Sequence, residues 1–154
     1  MPRRVRAASH GGFTGPLTAG LIEALTSVAA QPPPMSMIEL QPLGGAVARV
    51  SPDATAFGYR RAAHLLAVLA AAPPEDPGVE MSAWAEKVNG SLPAGTILGP
   101  SVHAMGRDEP EDRVRAAYGE AAYGRLAAAK HAYDPGNLFR FNQNIRPQPE
   151  GPRT

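Results

Sequence analysis

The chain has 154 residues, 44% of them hydrophobic, with 15 Lys plus Arg against 14 Asp plus Glu, the size and balance of one ordinary folded domain. A net charge of +1 provides no electrostatic footprint for nucleic acid or a membrane surface, and 16 Gly with 17 Pro interrupt any apolar run long enough to span a bilayer. With no cysteine there is no disulfide, thiolate-held metal cluster or cysteine nucleophile from this chain.

Arg3, Arg4 and Arg6 precede the first acid, Glu23, but Ala7 to Gly12 cannot form the apolar core of a signal peptide. Residues 1–16 are therefore expected to be a flexible, frayed basic segment, and the protein to be cytoplasmic. Leu17, Leu21, Leu25 and Val28 recur at helical spacing, with Thr14 or Thr18 as N-cap and Pro16 near the first turn. Pro32-Pro33-Pro34 ends that helix. From Met35 to Gln41 the period falls to two, predicting a half-buried strand. Gly44-Gly45 reads as a turn or bulge, or as a close ligand approach, leading into a second strand over Ala46–Val50. Ser51-Pro52-Asp53 is a turn and Thr55 to Tyr59 a short extended piece. The nine residues His64–Ala72 suit either a buried strand or a short helix.

Beyond the Pro73–Gly78 loop, Trp84, Val88 and Leu92 predict an amphipathic helix with Trp84 as its core anchor. Gly95 to Met105 reads as a strand interrupted at Gly99-Pro100. Asp108, Glu109, Glu111 and Asp112 surround Pro110 as a helix start and not as an acid–base pair. Val114, Tyr118, Ala122, Leu126, Ala129 and Tyr133 fall on one helical face, with a break at Gly119, and Tyr118, Tyr123 and Tyr133 read as packing residues. Asp134-Pro135-Gly136-Asn137 is a turn, and residues 148–154 are expected to be a disordered tail. The pattern is α+β, an antiparallel sheet with flanking helices. The four histidines, His10, His64, His103 and His131, lack metal-ligand spacing, so no metal is expected, and no local phosphate, dinucleotide or nucleophile-elbow motif is present.

One segment is more informative. Ala132 to Pro147 reads Ala-Tyr-Asp-Pro-Gly-Asn-Leu-Phe-Arg-Phe-Asn-Gln-Asn-Ile-Arg-Pro and closely resembles the C-terminal motif of the berberine-bridge-enzyme-like, FAD-linked oxidoreductases. Upstream, Asp112 to Gly119, Tyr123 to Leu126 and Lys130 resemble the helix preceding that motif. Glu39-Leu40, Gly44 to Val50, Ala54 to Phe57 and Arg60 resemble late strands of the family's substrate domain. The resemblance divides the chain into a partial substrate domain at 17–106 and a berberine-like C-terminal region at 107–147.

This resemblance implies the C-terminal portion of a two-domain flavoenzyme, in which an antiparallel sheet roofs the isoalloxazine and hydride passes from an organic substrate to FAD, with oxygen as reoxidant. The FAD-binding domain and its covalent attachment residues have no counterpart here. An FAD-domain protein chain is therefore the expected partner, a small organic molecule the expected substrate, and the chain alone is expected to be inactive. A non-catalytic binding or remnant module is the alternative. Asn142, Gln143 and Asn144 are the positions the resemblance places nearest the cofactor. Their amides suit the alternating C=O and N–H edge of a flavin, or equally hydrogen bonds to nearby backbone. The tyrosine that the family often uses as base is missing from Pro100–Asp108. With a one-residue gap after Gly106, Ser101 takes its position and His103 that of the accompanying asparagine; without the gap the two are Val102 and Ala104. His103 is the substitute general base, because imidazole titrates near neutral pH.

Overall fold

Backbone pairing decides what periodicity leaves open at His64–Ala72: the segment is a strand, and it lies inside the sheet. In the computed structural model, which describes residues 5–106, 109–141 and 143–148, the elements run β1 (Arg6–Thr14), α1 (Ala19–Ala29), β2 (Ser36–Pro42), α2 (Ala46–Arg49), β3 (His64–Ala72), α3 (Val79–Ser91), β4 (Ile97–Pro100), α4 (Glu111–Tyr118) and α5 (Glu120–Tyr133). The sheet has the order β2-β3-β1-β4 with all pairs antiparallel. The fold class is thus the expected α+β.

The basic lead-in is the main correction. Residues 6–14 are no frayed end but an interior strand, paired with β3 along its whole length and with β4 at its end. Its sequence hides this because Ala, Ser, His and Gly show no alternation of large apolar side chains. Small residues are what the position demands: a Cβ on Gly12 would overlap the Gly99 carbonyl oxygen of β4. A second correction concerns 46–50, read as a strand. Val47 N–H donates to the Gly44 carbonyl at 3.1 Å, so the chain winds into the single turn of α2. Val47 and Val50 are exposed and have no sheet face to join.

Cross-strand partners separate the two faces of the sheet. Leu66, Val68, Ala70 and Ala72 of β3, with Ile38, Leu40 and Ala8 beside them, pack against Leu21, Leu25 and Val28 of α1 and Met81, Trp84, Ala85 and Val88 of α3. Thr18 caps α1 by accepting from Leu21 N–H at 3.2 Å. Trp84 is the expected anchor, and its indole N–H donates to the Val28 carbonyl at 3.2 Å, tying α3 to α1. The other face carries Gln41, Leu65 and Phe13 in one row across β2, β3 and β1.

A second cluster of Met105, Val114, Ala117, Tyr123 and Ala127, with Val102, Tyr118 and Ile145 against it, holds α4 and α5. The chain breaks at Gly119 as expected, but the single helical face drawn through 114–133 does not survive the break. The restart at Glu120 sets a new register, burying Tyr123 and Ala127 in place of Leu126 and leaving Tyr133 90% exposed. Tyr133 is therefore no packing residue.

Candidate functional site

The row Gln41, Leu65 and Phe13 lines a cavity of about 520 Å³ together with Leu43, Ala56, Phe57, Ser101, Val102, His103, Ala117 and Tyr118, a size suited to a small organic molecule. Three devices fix its walls. Phe13 meets Phe57 edge-on at 5.4 Å and stacks on Tyr59 at 4.5 Å, and the Tyr59 hydroxyl donates to the Ala116 carbonyl at 3.0 Å, which joins the sheet to α4. Tyr59 can lie there because Gly99 has no side chain; a Cβ would overlap its hydroxyl. Arg60, only 8% exposed, holds the loop before it by donating to the Val47 carbonyl at 3.2 Å and to Thr55 Oγ1 at 2.7 Å, with its guanidinium over the Phe57 ring. Arg125 of α5 donates to the carbonyls of Asp53 and Thr55, so the same loop is held from both sides.

His103 is exposed and sits in a short 3-10 turn, Val102–Ala104, after β4. That turn follows the interruption predicted at Gly99-Pro100, and it brings Ser101 and His103 to one wall of the cavity. Tyr118, expected only to pack, lines the same cavity, and burial pushes its phenol up from the ordinary value. Burial thus favours the protonated phenol, a form that can donate a hydrogen bond. Sequence reasoning gave no role in a site to Tyr118, Gln41, Leu43, Phe13 or Phe57. A helix and loops distant in sequence converge there, and only the antiparallel alternation of β2 offered a hint for Gln41.

The amides of the C-terminal segment part company. Gln143 Nε2 donates to the carbonyls of Gly106 at 2.9 Å and Met105 at 3.4 Å, so it fastens the segment to the loop that follows the His103 turn. Asn144 is different: its Oδ1 is buried without a hydrogen-bond partner among the described residues. An acceptor in that state suits an N–H from a bound group. Asn142 lies outside the described residues.

The segment reaches this place through a turn that Asp134 organises. Asp134 Oδ1 accepts from Leu138 N–H at 2.7 Å and Oδ2 from Phe139 N–H at 3.1 Å. Lys130 pairs with Asp134 and also donates to the Phe139 carbonyl. The hydrogen bond from Lys130, ahead of those from the two backbone amides, holds the Asp134 carboxyl below its ordinary range. Among the described residues no three His, Asp or Glu converge as metal ligands, and no helix is long and apolar enough to cross a membrane.

The helix pair α4 and α5 lies beside the open face of the antiparallel sheet and is joined to it through Tyr59, an arrangement shared with known proteins. The family described as "Berberine and berberine like" matches residues 92–146. An uncharacterized FAD-linked oxidoreductase of Bacillus subtilis (strain 168), YgaK, is 39% identical over 109 residues, 70% of this chain and 23% of the relative. Chitooligosaccharide oxidase superposes with a TM-score of 0.72 at 21% identity, over 95% of this chain and 33% of the other. A variant of berberine bridge enzyme gives 0.69 at 23% identity, over 95% and 33%, and BBE-like 1 of Physcomitrella patens gives 0.69 at 21% identity, over 95% and 31%. The chain is thereby recognised as carrying the berberine-like C-terminal region of the FAD-linked oxidoreductases. It spans about a quarter of the curated relative and about a third of the solved structures.

Proposed function

We propose that this chain forms the substrate-facing wall and C-terminal flavin-side segment of an FAD-dependent oxidoreductase that removes a hydride and a proton from an organic substrate, with oxygen as reoxidant. The observation that carries this reading is that one small region gathers the open sheet face, the His103 turn and the C-terminal segment with its unpartnered Asn144 acceptor. FAD, when bound, supplies the two-electron acceptor. Asn144 fits it by accepting an N–H, while Gln143, committed to backbone carbonyls, positions the segment. His103 takes the substrate proton from the cavity wall, and Tyr118 donates a hydrogen bond to a substrate oxygen. The FAD-binding part comes from polypeptide outside these 154 residues; as a separate chain it is the partner.

A second reading, a non-catalytic remnant, is favoured by one observation: no tyrosine stands in Pro100–Gly106. A visible absorption spectrum separates the two. The chain purified with an FAD-domain partner and desalted should retain a flavin band that bleaches on anaerobic addition of substrate and returns with air. Asn144→Ala should lower flavin retention about tenfold, by removing one buried hydrogen bond to the cofactor. Absence of a flavin band with any FAD-domain partner would leave the remnant reading.

A further inference from the structure

We infer that the cavity over the Gln41, Leu65 and Phe13 row selects an uncharged, low-polarity, ring-bearing substrate and discriminates against both ions and sugars. The inference rests on reading this cavity as the substrate side of the flavoenzyme, but the binding it predicts needs no flavin. Leu65, Leu43, Phe13, Phe57 and Val102 give the wall its apolar character. The two phenylalanine rings are held before any ligand arrives, Phe57 by the Arg60 guanidinium at 5.4 Å and Phe13 by the stacked Tyr59. A flat or alicyclic ring thus meets fixed aromatic edges and faces at little ordering cost.

The polar groups are few and come from separate places. Ser101 and His103 share one turn, Tyr118 ends α4, and Gln41 lies on β2. The Gln41 amide nitrogen is already used, donating to Glu39 Oε1 at 2.8 Å, and Glu39 is not itself in the lining. Such a set orients one oxygen, the site of oxidation, and cannot satisfy the several hydroxyls around a sugar ring, each of which costs free energy if buried without a partner. Among the described residues no Asp, Glu, Lys or Arg lines the cavity. An ionised ligand would lose its water and meet no counter-charge in the lining itself, since Arg60 and Glu39 stand behind Phe57 and Gln41 and are engaged there.

Equilibrium dialysis of the full chain, in whatever assembly it purifies, tests this with four probes at neutral pH: 2-naphthol, 2-naphthoate, 2-naphthylmethylammonium and cellobiose. The three naphthalenes share one ring system and differ in charge. 2-Naphthol should bind about tenfold or more tighter than each of the others. Leu65→Glu and, independently, Leu43→Glu should weaken 2-naphthol and reverse the order in favour of 2-naphthylmethylammonium. Two positions, each checked by far-UV circular dichroism, keep the test decisive where one variant fails to fold. Equal or tighter binding of cellobiose or either ion to the unaltered chain, or no binding of 2-naphthol, would overturn the inference. Retained 2-naphthol binding without a flavin band under any partner would sink the oxidoreductase reading and leave the cavity's selectivity standing.

Discussion

Asp134 shows how one side chain sets the course of the segment carrying the family motif. Its two carboxylate oxygens accept from consecutive amides while Lys130 spans the same turn, so Leu138, Phe139 and Phe141 are held at 70%, 77% and 85% exposure on an anchored backbone. The folded carboxyl lies below the ordinary 3.8. Its stabilising contribution is therefore complete above that value and is lost as pH falls through the lower folded one. Asp134→Ala should abolish hydrogen-exchange protection of the Leu138 and Phe139 amides at neutral pH, and the unaltered chain should lose the same protection only in acid. Amides that stay protected in the variant would show the turn to be held by other means. The turn itself was legible, since Asp-Pro-Gly-Asn is turn chemistry. The separate uses of Gln143 and Asn144 were not, because either amide can face backbone or ligand and only the surrounding fold chooses.

At the scale of elements, the sequence was readable where large apolar residues repeat and opaque where small ones do. α1, β2 and α3 stand where spacing puts them, except that Leu17, read as part of the buried face, precedes α1 and is exposed, and the break at Gly119 falls between α4 and α5. β1 was hidden because an interior strand squeezed between two neighbours is built from Ala, Ser and Gly. The strand's cost for a larger side chain is a prediction in itself. A methyl at position 12 meets the Gly99 carbonyl oxygen, a backbone atom, and lies 2.9 Å from Ile97 Cγ2, so β4 must shift away from β1. Gly12→Ala should destabilise the chain by about 1–3 kcal/mol, seen as a lower urea midpoint with unchanged slope. It should also loosen the cavity, because β4 leads into the His103 turn. An unchanged midpoint would mean that the β1–β4 contact is not part of the cooperative unit. The short α2 was misread for a different reason: five residues, Ala-Val-Ala-Arg-Val, are too few to distinguish period two from 3.6.

The molecule as a whole is a sheet with a cluster on each face, and the bridge between them is aromatic. Burial raises the phenols of Tyr59, Tyr118 and Tyr123 above the ordinary 10.0, with the Glu111 carboxylate adding to the effect at Tyr123. A group with a raised folded value contributes stability that is fully present below 10.0 and is lost as pH rises through the folded one. Thermal stability should therefore hold up to about pH 10 and then fall steeply. The loss should be reported first by the α4–α5 cluster and the Tyr59 contact with Ala116, and only later by Trp84 fluorescence from the opposite face. A simultaneous loss at both probes would show the two clusters to be one cooperative unit.

Assembly follows from the same architecture. Among the described residues β2 and β4 are the outer strands, so each presents a row of backbone groups that no strand of this sheet satisfies. On the same face as the cavity row, beyond the intervening Glu39–Ala67 pair, Met37 and Leu69 are cross-strand partners and both are exposed. Open edges beside apolar surface are a template for pairing with another chain. The 154 residues alone should therefore self-associate in sedimentation velocity at tens of micromolar, about the range where weak protein contacts form, and bind 1-anilinonaphthalene-8-sulfonate. Co-expression with an FAD-domain chain should convert the assembly to a one-to-one complex and quench the dye. Met37→Lys together with Leu69→Lys should suppress self-association and also weaken the one-to-one complex, since the partner is expected to cover that same face. A monomeric chain with a sharp, reversible melt would show that these edges are already protected, and would remove the physical case for a partner.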